Sequence, residues 1–82
     1  MSRFWLDTTL NLDIPTKWEM TLAIEESNVT VIDIETYGWG GSTFAITVEA
    51  NTIDDLIELL ERDQHLESGD VMMMLSNVKA VD

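Results

Sequence analysis

Carboxylates are the side chains of this sequence that could most readily bind a metal ion or take part in catalysis. Glu58 and Glu61 lie one turn apart on a predicted helix, and His65 follows Glu61 at the spacing i, i+4, so one metal ion could bridge them. A usable metal site needs further ligands, and the sequence supplies none near these three. The chain has no cysteine, which excludes a thiolate site, a disulfide and a cysteine nucleophile. We therefore expect no metal and no cofactor.

Pairs of carboxylates also serve general acid and base catalysis. Because the sequence holds 16 acidic residues, neighbouring carboxylates are expected almost anywhere in it and indicate little. The sequence has no glycine-rich phosphate loop, no nucleophile elbow and no basic patch. We therefore expect a protein that is not an enzyme.

The net charge is the strongest single feature of the sequence. Sixteen acidic residues oppose four basic ones, which gives a formal net charge of −12 over 82 residues. Such a field repels nucleic acids and anionic membranes, and it attracts basic surfaces, most commonly those that hold nucleic acid. We expect a basic protein partner and no direct contact with nucleic acid or membrane. As alternatives, acidity can serve solubility alone, or it can reflect adaptation to high salt.

Composition and length predict one globular domain that spans residues 1–82. Hydrophobic residues make up 45% of the chain, too many for a disordered acidic tail. The segment Met1–Leu12 lacks both the basic start and the continuous apolar run of a signal peptide, and no apolar stretch is long enough to span a bilayer. We expect a cytoplasmic protein.

Alternating apolar and polar residues predict strands over much of the chain. The alternation is clearest at Arg3–Leu12 and Thr43–Ala50, and Val29–Tyr37 is rich in β-branched residues. Val71–Val81 begins with apolar residues in both alternating sets, which is typical of an interior strand.

The segment Lys17–Glu26 fits two structures. Its apolar residues 18, 20, 22 and 24 alternate with polar ones, which favours a strand. Thr16 followed by Glu19 is a capping-box pattern, which favours a helix. We expect a strand here. The helix would instead give the element order βαββαβ, a ferredoxin-like fold.

Thr52–Leu66 is predicted to be the single helix, because Thr52 can cap it and the apolar residues 53, 56, 57 and 60 form one stripe. The predicted fold is α+β, an antiparallel sheet of about five strands with this helix on one face. The face expected to meet the helix carries Phe4, Leu6, Leu22, Ile24, Ile32, Ile34, Phe44, Ile46 and Val48.

The opposite face of this sheet should meet solvent, since one helix cannot cover both faces. Carboxylates on an open sheet repeat at roughly 5 to 7 Å along and across strands, and a nucleic-acid strand also presents regularly repeated negative charge. The functional interpretation is a nucleic-acid mimic, and the alternative is an ordinary solvated face. The acidic residues expected on it are Asp7, Glu19, Glu25, Asp33, Glu35 and Glu49.

A second candidate contact site is Trp39, in the glycine-rich loop Gly38–Ser42. Aromatic side chains in flexible loops often anchor protein interfaces. The alternative is that Trp39 folds back over the core and the glycines simply form a hairpin.

In size and charge the chain resembles small acidic inhibitors from phages and mobile elements, including anti-CRISPR and anti-restriction proteins, and the immunity proteins that neutralise nuclease toxins. The resemblance is one of type, covers the chain through composition only, and carries no family motif. It implies a non-enzymatic inhibitor of a basic, nucleic-acid-handling protein. The alternative is a regulatory or structural subunit that acts through self-association, as a homo-oligomer.

Overall fold

The computed structural model of the chain describes residues 2–9, 14–62, 72–73 and 75–81. These residues form an antiparallel four-stranded sheet packed with helices, which confirms the predicted α+β class. A 3₁₀ turn, Trp39–Gly41, lies between the second and third strands. The elements are β1 (Ser2–Thr9), α1 (Lys17–Glu25), β2 (Thr30–Tyr37), β3 (Thr43–Ala50), α2 (Ile53–Glu61) and β4 (Lys79–Ala80).

The strands lie in the order β2-β3-β1-β4, each antiparallel to its neighbours. Because β1 and β2 flank β3 and both oppose its direction, they are parallel to each other, and α1 connects them. The chain order of strands and helices is that of the ferredoxin-like βαββαβ arrangement. This is the order that the helical alternative for residues 17–26 predicts.

The strand predicted for Lys17–Glu26 is therefore wrong, since residues 17–25 form α1. The hydroxyl of Thr16 accepts from the N–H of Glu19, and the Glu19 carboxylate accepts from the N–H of Thr16, both over 3.1 Å. This capping box satisfies two backbone donors that a helix start otherwise leaves unpaired. The helix buries Met20 and Ile24, one turn apart, and so does not use the alternation of its apolar residues.

The strand predicted for Val71–Val81 is also wrong over most of its length. Residues 72, 73, 75 and 76 have helical backbone, and only Lys79–Ala80 pairs as β4, with Phe4 and Trp5. β4 is an exposed edge of the sheet and not an interior strand. Residues 71 and 74 lie outside the described residues. With residues 17–25 in α1 and residues 72, 73, 75 and 76 helical, the described sheet has four strands where five were predicted.

β1 and β3 form the centre of the sheet, with an unbroken register from Ser2 opposite Ala50 to Thr9 opposite Thr43. The even-numbered residues 4 to 8 and 44 to 50 are buried, as the alternation predicts. They join the buried residues of both helices in one cluster, so α1 and α2 cover the same face of the sheet. The core is Phe4, Leu6, Met20, Ile24, Val29, Phe44, Ile46, Val48, Ala50, Leu56 and Leu60.

α2 begins as predicted, and the hydroxyl of Thr52 accepts from the N–H of Asp55 over 3.1 Å. Its buried residues are Leu56 and Leu60, and its last residue is Glu61. The predicted continuation to Leu66 lies outside the described residues from 63 onward. No helix in the described part of the chain is long and apolar enough to cross a membrane.

Candidate protein-binding surface

The face of the sheet opposite the helices is solvent-facing, and we call it the open face. The register places four of the predicted acidic residues on it, in three adjacent strands. Two other features of the same face, Arg3 opposite Glu49 and Trp5 opposite Lys79, follow from the same pairing. The four acidic residues are Asp7 in β1, Asp33 and Glu35 in β2, and Glu49 in β3.

Glu19 and Glu25, the other two acidic residues predicted for this face, do not lie on it. Both belong to α1, which packs against the opposite face of the sheet. The Glu19 carboxylate takes part in the capping box, and Glu25 is the exposed last residue of α1. They were assigned to the open face because residues 17–26 were predicted to be a strand, and this assignment is wrong because residues 17–25 form α1.

Two basic side chains interrupt the acidic row of the open face. The Nε of Arg3 lies 4.0 Å from the Oε2 of Glu49, and the ammonium of Lys79 lies 5.5 Å from the ring centroid of Trp5. An exposed ion pair of this kind contributes only about 0–1 kcal/mol to stability. It does offset the charge of Glu49, so this carboxylate is a weaker attractor for a basic partner than an unpaired one.

Asp7 is only partly available to a partner. Its Oδ1 is inaccessible to solvent and has no hydrogen-bond partner among the described residues, and its neighbour in β3 is the small side chain of Ala45. A polar atom that is buried without a partner costs free energy. Asp7 therefore presents less of its charge to an approaching protein than the exposed carboxylates do.

The exposed carboxylates of the open face are Asp33 and Glu35. They are two residues apart on β2, so their side chains leave the same face about 7 Å from each other. Neither makes an ion pair within the described residues. The unneutralised negative charge of the open face is thus concentrated on β2.

β2 lies at the edge of the sheet, and its register shifts between Val31 and Asp33. Ile32 is the extra residue of this β-bulge, which removes it from the regular alternation of the strand. Ile32 was predicted to face the helices, but its side chain is 43% exposed. Leu22, which was predicted for the same face, lies on the outer surface of α1 and is also 43% exposed. From Asp33 to Tyr37 the pairing with β3 is regular.

Trp39 is 95% exposed, so the interpretation in which it covers the core is wrong. It begins the 3₁₀ turn after β2, next to Gly38, and Gly40 and Gly41 follow. All three glycines have φ between +62° and +81°, a region that glycine adopts without steric cost. The glycines therefore shape a turn that exposes the indole to solvent, two residues after Tyr37, whose ring is half exposed.

These side chains form an exposed series along one strand and its turn, which we call the β2 margin. It combines three apolar side chains with two carboxylates that have no ion-pair partner in the part of the chain that the structure describes. Protein interfaces typically join an apolar or aromatic anchor to a polar surround. The β2 margin consists of Ile32, Asp33, Glu35, Tyr37 and Trp39.

A pocket of about 320 Å³ lies at the other end of β2 and β3, beside α2. Three of its lining residues are acidic, and one of them, Glu58, also pairs with Arg62. No group of three histidine, aspartate or glutamate side chains in the described residues is arranged to hold a metal ion. His65 lies outside those residues. The pocket is lined by Asn28, Thr30, Glu49, Ala50, Asn51, Asp55, Glu58 and Leu59.

No family model matches the chain, and comparison with curated proteins and with solved structures finds no match. The proposed function therefore depends on the charge, exposure and geometry of this surface.

Proposed function

We propose that this protein is a non-enzymatic inhibitor that binds a basic, nucleic-acid-handling protein in the cytoplasm. One observation supports this most directly: Asp33 and Glu35 are exposed on the open face of a chain with net charge −12, and neither makes an ion pair among the described residues. Unpaired carboxylates attract lysine and arginine side chains, and in a nucleic-acid-binding protein these are the groups that hold phosphates. Occupying them would exclude the nucleic acid.

The charge and the β2 margin have different roles in this proposal. Negative charge on α2 and on the open face of the sheet steers a basic protein toward the molecule from a distance. Steering alone does not fix an orientation, whereas an exposed aromatic side chain can enter a pocket and do so. Trp39 and Tyr37 supply such anchors next to the unpaired carboxylates.

Mimicry of nucleic acid, in this proposal, is confined to the β2 side of the open face. On the β1 side, Arg3 and Lys79 place positive charge among the acidic residues. A basic groove would therefore engage β2 and its turn and leave the β1 side in solvent.

The alternative function is a regulatory or structural subunit that self-associates, and the exposed indole of Trp39 is the observation that favours it. The net charge of −12 on each copy opposes association of like copies. The mass of the purified protein in solution separates the two proposals: the inhibitor is expected to be monomeric in the absence of its partner.

The proposal can be tested with two charge-matched double variants. After capture from a lysate at low salt and identification of the captured protein, Kd for that protein is measured by titration. Asp33→Lys/Glu35→Lys is expected to raise Kd at least tenfold more than Glu58→Lys/Glu61→Lys, although both change the net charge equally. Glu49 is left unchanged, because Arg3 already offsets its charge and the test concerns Asp33 and Glu35.

Two further measurements complete this test. The wild-type protein should displace a labelled oligonucleotide from the captured partner, and Kd should rise steeply with salt because exposed charges are screened over about 8 Å at physiological ionic strength. Equal losses in the two double variants would show that overall charge, and not the open face, drives binding. A captured protein that binds no nucleic acid would contradict the proposed function.

A further inference from the structure

The outer edge of β2 has no partner strand among the described residues. β2 pairs with β3 alone, and no other backbone hydrogen bond in the described part of the chain involves residues 30–37. The regular part, Asp33–Tyr37, is five residues or about 17 Å long. An edge of this kind presents unpaired N–H and C=O groups to any extended segment that approaches it.

This edge lacks most of the features that usually prevent strand pairing. Natural edge strands are often very short, contain proline or lysine, or carry a bulge. β2 has eight residues with neither proline nor lysine, and its bulge at Ile32 interrupts only the beginning of the strand. The remaining protection is the charge of Asp33 and Glu35, which is selective: it repels an acidic strand and attracts a basic one.

We infer that an extended, basic segment of the partner protein pairs with Asp33–Tyr37 as an additional strand of the sheet. This inference rests on the proposed function, because it specifies how the basic partner docks. Charge complementarity determines the occupant. In an added strand, every second side chain lies on the open face beside Asp33 and Glu35, and opposite charges directly across a strand pair stabilise it. The segment should therefore carry lysine or arginine at alternate positions.

A second copy of this chain is a poor occupant of the same edge. Pairing two β2 edges would bring the carboxylates of Asp33 and Glu35 in one copy close to those in the other. Like charges across a strand pair are destabilising, and each copy brings a net charge of −12.

Tyr37 and Trp39 extend the recognition surface beyond the paired backbone. Both rings are exposed where β2 ends and its turn begins, at 49% and 95% respectively. A cationic or apolar side chain at the end of the added segment could contact an aromatic face there. A segment that pairs with this edge would therefore form backbone hydrogen bonds, contact the acidic side chains and reach the aromatic rings along a single strand.

The inference is tested by amide hydrogen exchange, measured by NMR, on the full chain with a defined probe. The probe is a synthetic six-residue peptide of alternating lysine and valine. Because successive N–H groups of a strand point to opposite edges, exchange should slow at least tenfold at alternate residues within 33–37. The same peptide with N-methyl groups on two adjacent residues, which block both of its edges, should give no such protection. Thr47 in the central strand β3 is the internal reference.

A charge swap provides the matched control. Asp33→Lys/Glu35→Lys should lose protection by the lysine–valine peptide and gain it with a glutamate–valine peptide. If the glutamate–valine peptide protects the same alternate amides in the lysine variant, strand addition is supported. If either the wild-type protein with the lysine–valine peptide or the variant with the glutamate–valine peptide shows no protection at millimolar peptide, the inference is overturned.

The outcomes separate this inference from the function on which it rests. If the captured partner depends on Asp33 and Glu35 but the amides of β2 exchange as fast as in the free protein, strand addition is wrong and the proposed function stands. The N-methylated peptide would then bind as tightly as the unmodified one. If the partner's affinity is indifferent to Asp33 and Glu35, the proposed function itself is wrong.

Discussion

The backbone N–H of Thr9 donates a hydrogen bond to the thioether sulfur of Met73, 3.1 Å away. The hydroxyl of Thr8, a buried residue, donates to the same sulfur over 3.7 Å. Two donors at the end of β1 are thus satisfied by a residue more than 60 positions later in the sequence. Met73 joins the segment before β4 to the centre of the sheet, although its side chain is 40% exposed.

Met73→Leu should lower the free energy of unfolding by about 1 kcal/mol, because leucine keeps the apolar volume and removes the acceptor for Thr8 and Thr9. Met72→Leu is the control, since Met72 is 71% exposed and accepts no hydrogen bond from the described residues. Urea unfolding gives both values. Equal effects of the two substitutions would show that the sulfur contacts contribute nothing to stability.

Thr16→Ala should destabilise the protein by about 1 kcal/mol, because it removes the hydroxyl that accepts from Glu19 at the start of α1. Thr16→Ser keeps this acceptor and should be close to wild type. The measurement is urea unfolding followed by far-UV circular dichroism. If alanine and serine are equivalent at residue 16, the capping box does not stabilise α1.

Gly38→Ala should cost more stability than Gly40→Ala. Gly38 has φ +81° and ψ −170°, a region that is essentially restricted to glycine, and a Cβ there would lie 3.3 Å from the Oγ1 of Thr43. Gly40 has φ +62° and ψ 20°, and a Cβ there would meet no atom within 4 Å. We expect a loss of about 1 kcal/mol for Gly40→Ala and up to about 3 kcal/mol for Gly38→Ala. Calorimetric unfolding of the two variants ranks these costs, and the reverse ranking would contradict the described turn.

Trp39→Ala should weaken partner binding at least tenfold and leave the thermal midpoint nearly unchanged. A buried aromatic anchor contributes about 2 kcal/mol or more to binding, and a side chain that is 95% exposed contributes little to folding. Trp18→Ala is the matched control, because Trp18 is 70% exposed and lies on α1, away from the open face. Equal losses of affinity in both variants would indicate a non-specific role of the indoles. Under self-association, Trp39→Ala would instead lower the oligomeric mass.

Sequence patterns predicted the central strands and α2 correctly because local and tertiary preferences agree there. In β1 and β3, one alternating set is buried under the helices and the other faces solvent. In α2, an N-cap threonine precedes an apolar stripe that meets the same core. The same period of two assigns Asp7, Asp33, Glu35 and Glu49 to one face, and the register of the sheet has them there.

The assignment failed where two local signals conflicted. Residues 17–25 carry both an alternating pattern and a capping box, and the helix prevails although it buries only Met20 and Ile24 and leaves Trp18 and Leu22 exposed. That choice depends on what α1 packs against, which no local window contains. Residues 72, 73, 75 and 76 belong to a run whose sequence predicts an interior strand, and they have helical backbone.

By itself, the sequence determined the charge of the molecule, the alternation that sorts its strand residues onto two faces, and the presence of an aromatic residue among three glycines. Only the tertiary structure decided which carboxylates remain unpaired and which strand lies at the edge. Glu49 lies near Arg3 because β3 pairs with β1 across 46 positions of sequence. Asp33 and Glu35 make no ion pair with a basic side chain among the described residues. Strand order is set by the mutual burial of distant segments, and a local pattern of residues does not encode it.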